Sequence, residues 1–296
     1  MAQAIRRQLL PSMLKDILSL AKPRLSSLVL ATTGVGIWLA PGSLSLGRIF
    51  LTLAGTSLVV ASANAFNCYW ERQTDRLMKR TRQRALPAGR LEPKVAIYFG
   101  ALLLGIAIPT LIVAANLLTA ILGLIGLVLY VFAYTPLKFK STLALQVGAI
   151  PGAIPPLMGW TAVTGRMDSG GLMLFAILFC WQFTHFLAIS LYLREDYARA
   201  GIQAYSVVHG EHRTKIMIAM SMVLLIPTTL ILVPMGLAST NYGFAASLLG
   251  FLLLGFSLLG FVAPKTGRWA RSMFLATVAY LPLLFMALII LGAGEH

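Results

Sequence analysis

Nine long apolar runs decide what this chain can fold into. They cover residues 25–41, 46–69, 94–113, 117–135, 143–163, 170–193, 214–236, 242–262 and 272–292, with charged or Gly/Pro-rich breaks between them. A helix needs about 20 apolar residues to cross a bilayer. Lipid offers no partner to an unbonded backbone amide, so runs of this kind must be helical. The pattern predicts an all-α polytopic membrane bundle of nine transmembrane helices, with residues 25–292 as one intramembrane domain. Only 11% of the 296 residues are charged, against about 25% in a soluble domain.

The basic residues test this division. Of the 24 Lys and Arg residues, only Arg48 and Arg166 fall in the loops of one side. The N-terminus (Arg6, Arg7, Lys15, Lys22, Arg24), the stretch from Arg72 to Lys94, Lys138 and Lys140, and the last two loops of that side carry the rest. Basic residues collect on the cytoplasmic side, which puts the N-terminus inside and the C-terminus outside. The formal charge of +15 therefore calls for no nucleic acid partner. Residues 1–24 mix Leu9, Leu10, Met13, Ile17 and Leu20 with basic positions. They read as an amphipathic cytoplasmic segment on the membrane surface, broken near Pro11, with a removable targeting peptide as the alternative. Cys68 and Cys180 stand in no CxxC or Cys/His cluster, which argues against a zinc site or a disulfide framework.

Three stretches carry polar groups that a simple membrane anchor does not need, and a fourth is rich in glycine and proline. Asn67, Glu71 and Asp75 are spaced by four residues and on a helix stack along one face. Hard oxygen ligands of this kind suit Mg²⁺ with positions left for substrate oxygens. Arg72, Arg76 and Arg80 form a parallel column, and guanidinium groups grip phosphate oxygens bidentately. The pattern reads as a Mg-diphosphate site or, more plainly, as a basic loop with incidental i,i+4 pairs. After the sixth run, Arg194-Glu195-Asp196-Tyr197 offers Asp196 as a group that faces Asp75 if spans two and six are neighbours; otherwise it is a helix end stopped by Gly201. His185 lies inside the sixth run, where an ionisable residue marks a site or pathway; an interior histidine with satisfied nitrogens is the alternative. The fifth run, Gly148 to Trp160, holds Pro151, Pro155 and Pro156, which in a bundle shape a pocket through close packing and kinks.

Taken together these stretches resemble the UbiA-type intramembrane prenyltransferases, and within that family the branch that farnesylates protohaem IX. The segment from Asn67 to Arg84 is similar to the family's first acidic motif. Gly148 to Gly159 is similar to the branch's Gly-Ala-x-Pro-Gly-Ala-x-Pro-Pro segment. Trp181-Gln182 to His185-Phe186, followed by Glu195-Asp196-Tyr197 and Ala200-Gly201-Ile202, resembles the sixth-span and second-motif region, and Tyr134 to Lys138 matches a further element. The sequence departs from the pattern at Glu71, where Asp is usual, and at Gln73, Ala85, Phe139 and Thr184, and Ala200 stands where quinone-prenylating relatives have an acid.

The resemblance implies helices around a central active-site cavity, and transfer of the farnesyl group of farnesyl diphosphate to haem B, giving haem O and diphosphate. It implies Mg²⁺ held by Asn67, Glu71, Asp75 and Asp196, with Arg72, Lys79, Arg80, Arg84 and Lys138 binding the diphosphate. Tyr130, Tyr134, Trp160, Trp181 and Phe186 become the rings of the substrate pocket, and His185 becomes a contact to the haem or a proton carrier. A bacterial or mitochondrial inner membrane and a hand-over to a haem A synthase follow from the same likeness. A quinone-precursor prenyltransferase is the near alternative and a transporter the distant one. The latter requires corresponding broken half-helices, and the sequence has none.

Overall fold

A computed structural model of the chain describes residues 13–291, with backbone alone at 24 and 25. Arg6, Arg7, the expected break at Pro11 and the end of the last apolar run lie outside the described residues. Those described residues form helices and connecting turns, with no strand among them. A short helix over 13–20 precedes α1 (Pro23–Leu39), α2 (Leu46–Glu71), α3 (Pro93–Ala114) and α4 (Leu117–Leu137). They are followed by α5 (Ala144–Thr164), α6 (Ser169–Tyr192), the short α7 (Arg194–Arg199), α8 (Tyr205–Leu230), α9 (Thr240–Leu258) and α10 (Thr266–Leu291).

Among the described residues, seven helices are long and apolar enough to cross a membrane: α2, α3, α4, α6, α8, α9 and α10. The first and fifth runs are also helical. α1 is a shorter apolar helix, and α5 has three prolines in 21 residues. Local chemistry starts the elements: Pro23 occupies the first turn of α1, and Ser45, Asn116, Asp168 and Ser239 cap α2, α4, α6 and α9 by accepting an otherwise unpaired amide.

Two packing groups share a seam. α2 to α5 surround a core built on Val59, Ala107, Leu111, Leu127 and Ile154. α6, α8, α9 and α10 surround a second built on Leu174, Ile218, Leu225, Met273 and Leu284. α5 packs on α6, and α1 touches α10. α5 is the central element, buried without interruption from Ala153 to Ala162. Two glycines let α1 lie against its backbone: a Cβ on Gly36 falls 2.0 Å from Pro156 O, and one on Gly159 falls 2.0 Å from Thr33 O. Small residues substitute here for the hydrophobic drive that lipid does not supply.

At one end the connecting segments gather into a cap. Asp16 pairs with Arg90 through two bonds of 2.8 and 2.9 Å. Leu20 packs on Ala85, Leu86 and Leu91, so one side of helix 13–20 faces protein while Met13, Leu14 and Leu18 stay exposed. Met78, Phe139, Tyr197, Ala200 and Ile202 form a second small core. Gln203 N donates to Lys138 O at 2.8 Å, tying the α4–α5 and α7–α8 connections together.

Candidate active site

The cap is organised around the last turn of α2. Asn67 Nδ2 donates to the Glu71 carboxylate one turn on, and also to Thr135 Oγ1 at 3.1 Å. Lys138 Nζ pairs with Glu71. Lys22 Nζ donates to Asn67 Oδ1 at 2.7 Å. Lys22 is the one non-glycine among the described residues with positive φ, at φ 49° and ψ 59°. It also precedes Pro23, a position from which helical backbone is disfavoured. Strain of this kind costs on the order of 1–3 kcal/mol and is held only where the surroundings demand it. Here the αL turn delivers an ammonium to the Asn67 amide.

The expected four-residue column stops early. α2 ends at Glu71, and Asp75 lies in a 3₁₀ turn over Thr74–Leu77. Side-chain hydroxyls compete with the helix here: Thr74 Oγ1 donates to Glu71 O at 3.0 Å and Thr81 Oγ1 to Asp75 O at 2.9 Å. The arginine column is dispersed as a result. Arg72 folds back, donating to Tyr69 O at 2.7 Å with its guanidinium 4.3 Å from the Tyr69 ring centroid. Arg76 donates to Pro87 O at 2.9 Å. Lys79 is exposed, while Arg80 and Arg84 turn into a polar cavity.

Asn67, Glu71 and Asp75 are 1%, 6% and 1% exposed. Asp75 Oδ2 accepts from Arg84 Nη1 at 3.0 Å, and its Oδ1 is buried with no hydrogen-bond partner among the described residues. A buried carboxylate oxygen left unpaired is costly. Two carboxylates and an amide oxygen with an open valence fit a hard divalent cation that shares its sphere with substrate oxygens. Asp196 does not join them. Its carboxylate pairs with Arg199 within α7, and no three Asp, Glu, His or Cys side chains come together as a metal cluster among the described residues. The second motif reaches the first through Tyr197 instead. Burial raises the Tyr197 phenol above its ordinary range, and Arg80, Glu71 and Asp196 all act on it electrostatically.

Beneath helix 13–20 lies a polar cavity of about 450 Å³. Lys15, Lys22, Arg80, Arg84 and Arg90 line it, with only Asp16 and Asp75 opposed. Its lining carries an excess of positive charge. On the other side of the α2 terminus an apolar cavity of about 480 Å³ opens between α1, α2, α4, α5, α6 and α10. Asn64 sits on its wall and donates to Ala21 O at 3.1 Å, so one turn of α2 serves both spaces.

α4 contributes to the apolar cavity and to the Asn67 network through a π-helical segment, Leu129–Tyr134, of a kind frequent at functional sites, and through the Thr135 that follows it. Tyr130 lines the apolar cavity. Tyr134 stacks on it at 5.5 Å and lies under Lys138, 6.0 Å from ring centroid to Nζ. Thr135 Oγ1 donates to Tyr130 O at 2.8 Å while accepting from Asn67. Trp181, Gln182, His185 and Phe186 of α6 also line the cavity. Gln182 bridges to α5, donating to Ala149 O at 2.9 Å. Trp160, expected in this pocket, is instead buried against the start of α6. Gly170 and Gly171 admit its ring, which lies 2.2 Å from where a Gly170 Cβ would stand. Sequence reasoning assigned no site role to Lys22, Thr135, Gln182 or Thr277. Thr135 and Gln182 stand inside the stretches that carry the family resemblance, Lys22 is a basic residue directly before the proline that opens a span, and Thr277 carried no signal.

An all-helical bundle with a basic cap over an apolar intramembrane cavity marks a multi-pass integral membrane protein with separate places for a charged head and a greasy body. Its fold is shared by a digeranylgeranylglyceryl phosphate synthase in membranes, with TM-score 0.78, 15% identity, and 94% of this chain and 97% of that one covered. It is shared too by a UbiA homologue from Archaeoglobus fulgidus bound to DMAPP and Mg²⁺, with TM-score 0.65, 16% identity, and 93% and 100% covered. The sequence pattern of the UbiA prenyltransferase family matches residues 29–289, and the chain belongs to that family. It is similar to the protoheme IX farnesyltransferase of Anaeromyxobacter sp. (strain Fw109-5), 54% identical over 279 residues and covering 94% of each chain.

Proposed function

We propose that this chain transfers the farnesyl group of farnesyl diphosphate to a vinyl group of haem B, giving haem O and diphosphate. The observation that carries the reading is the unpaired Oδ1 of buried Asp75, set in a basic cap directly over an apolar cavity that contains His185. The relative's printed name and its 54% identity support the same acceptor. The Mg²⁺ and DMAPP bound by the Archaeoglobus homologue support a divalent cation and a prenyl diphosphate.

Asn67, Glu71 and Asp75 are the groups that would hold the cation, which would supply Lewis-acid neutralisation of the departing diphosphate. Lys22, Lys138, Arg80 and Arg84 add fixed positive charge where negative charge develops, with Lys79 at the exposed rim. The bond between farnesyl C1 and the diphosphate oxygen breaks with both electrons going to oxygen. The apolar cavity keeps water from the resulting allylic cation, and Tyr130, Trp181 and Phe186 offer it ring faces, with Tyr134 stacked behind. The haem vinyl carbon attacks that cation, and water then adds to the adjacent carbon with loss of a proton. Residues 25–292 act as one domain of nine spans in an inner membrane, with the cap on the cytoplasmic side and the C-terminus outside. The product serves a haem A synthase.

The test is a haem extract from cells that lack their own haem O-forming enzyme and express this chain, resolved by chromatography and mass spectrometry. Haem O is expected, and its loss with Asp75→Ala. If only haem B is found while the protein is folded in the membrane, the acceptor is wrong, and a quinone-precursor ring becomes the compound to assay.

A further inference from the structure

His185 is held by α10 in a way that ordinary packing does not require. Its Nδ1 lies 3.0 Å from Thr277 Oγ1. The Thr277 hydroxyl is itself directed at Phe274 O, 2.7 Å away. A hydroxyl has one proton. With that proton donated to the Phe274 carbonyl, the Thr277 oxygen meets His185 as an acceptor, and the imidazole proton must sit on Nδ1. Nε2 then carries the lone pair. Among the described residues Nε2 has no hydrogen-bond partner, and it is not among the sealed unpaired atoms, on a side chain that lines the apolar cavity.

The ring is braced on its other faces. Trp181 stacks on it with centroids 4.6 Å apart and planes at 21°, and Phe274 and Phe186 stand at 4.9 and 5.9 Å. Trp181 Nε1 donates to Thr277 O at 2.9 Å, so the same residue of α10 fixes both rings of α6. Thr277 is fully buried. A histidine whose far N–H is tied to an oxygen while its near nitrogen faces an open space is arranged as metal-binding histidines are, with tautomer and plane set by the outer partner.

We propose that Thr277 is a positioning residue that fixes His185 in the Nδ1-protonated form, so that Nε2 ligates the iron of the haem substrate in the apolar cavity. The inference rests on the haem-farnesylating reading and adds to it the atom that holds the acceptor. Iron ligation at Nε2 anchors the macrocycle on α6, under the cap that delivers the farnesyl group.

Purified full-length protein in lipid nanodiscs, titrated with ferric haem B without farnesyl diphosphate, tests this by absorption and electron paramagnetic resonance. The wild type is expected to show a histidine-ligated ferric spectrum. His185→Ala should lose it and regain it with added imidazole. Thr277→Val, which keeps shape and removes the acceptor, should weaken haem binding roughly 10- to 100-fold, and Thr277→Ser should restore it. A wild-type spectrum and affinity in either His185→Ala or Thr277→Val overturns the inference, as does equal loss in Thr277→Ser and Thr277→Val. Haem O formation by the wild type is followed in parallel. If it persists while the spectra contradict ligation, this inference alone fails; if the wild type neither binds haem nor forms haem O, the underlying reading fails with it.

Discussion

The cap and the apolar cavity meet at one turn of α2 and are built on opposite principles. In the cap the polar side chains around the end of α2 are tied by ion pairs and hydrogen bonds: Lys138 to Glu71, Lys22 to Asn67, Arg84 to Asp75, Thr81 to the Asp75 backbone. In the cavity the walls are mostly aliphatic and aromatic, and polar groups such as Asn64, Gln182 and His185 are held by backbone carbonyls or by one hydroxyl. The difference follows the chemistry. On the proposed reaction, charge is gathered where the diphosphate would leave, because fixed dipoles and ions in a dry site need no reorganisation when charge develops. Charge is kept away from the place where the carbocation and the macrocycle would meet without water.

Breaking the cap should cost most. Asp75→Asn removes the carboxylate that carries the unpaired oxygen and should lower haem O formation roughly 10²- to 10³-fold, measured in membranes with saturating substrates. Next comes the seam that shapes the cavity. A methyl on Gly159 meets the α1 backbone, and Gly159→Ala should destabilise the protein by about 1–3 kcal/mol, read by thermal unfolding in detergent. Lys22→Gly tests the strained turn: the backbone conformation becomes easy while the ammonium is lost. Affinity for farnesyl diphosphate should fall roughly tenfold, the size of one charged hydrogen bond, with unfolding little changed. An unchanged affinity would show that Lys22 belongs to the fold and not to the site.

The smallest effect belongs to the clamp of helix 13–20. Its hydrogen bond to Arg90 lowers the Asp16 pKa below its ordinary value. A depressed carboxylate contributes stability above its unfolded pKa and loses it as pH falls through the folded one. The clamp should therefore hold at neutral pH and release only in acid below the usual carboxylate range. The pair is largely exposed, so Asp16→Asn should cost under about 1 kcal/mol, followed by hydrogen exchange over residues 13–20.

The spans were legible because their signal is length and apolarity, and neither depends on tertiary context. The run at 46–69 is α2, Leu46–Glu71, and the run at 170–193 is α6, Ser169–Tyr192. α8 was placed late. It begins at Tyr205 because a polar turn holding His209, Glu211 and His212 continues the helix beyond the apolar part, across a kink at Gly210. The site was legible in its residue types and less so in its geometry. Spacing put Asp75 on the α2 helix, but Thr74 and Thr81 draw the chain out of it. Spacing also gave Arg72 to the diphosphate, but its own carbonyl neighbour and the Tyr69 ring take it. Thr277 in an apolar run carries no sign of its partner ninety-two residues away; only the packing of α6 on α10 reveals it.

The central claim is that the two regions bind separate substrates. Farnesyl diphosphate binding with Mg²⁺ and haem B binding, measured independently on Asp75→Asn and His185→Ala, test it most directly. The account predicts that Asp75→Asn loses the diphosphate and keeps haem, and that His185→Ala loses haem and keeps the diphosphate. A variant that is folded and loses both, or an exchange of the two losses, contradicts it.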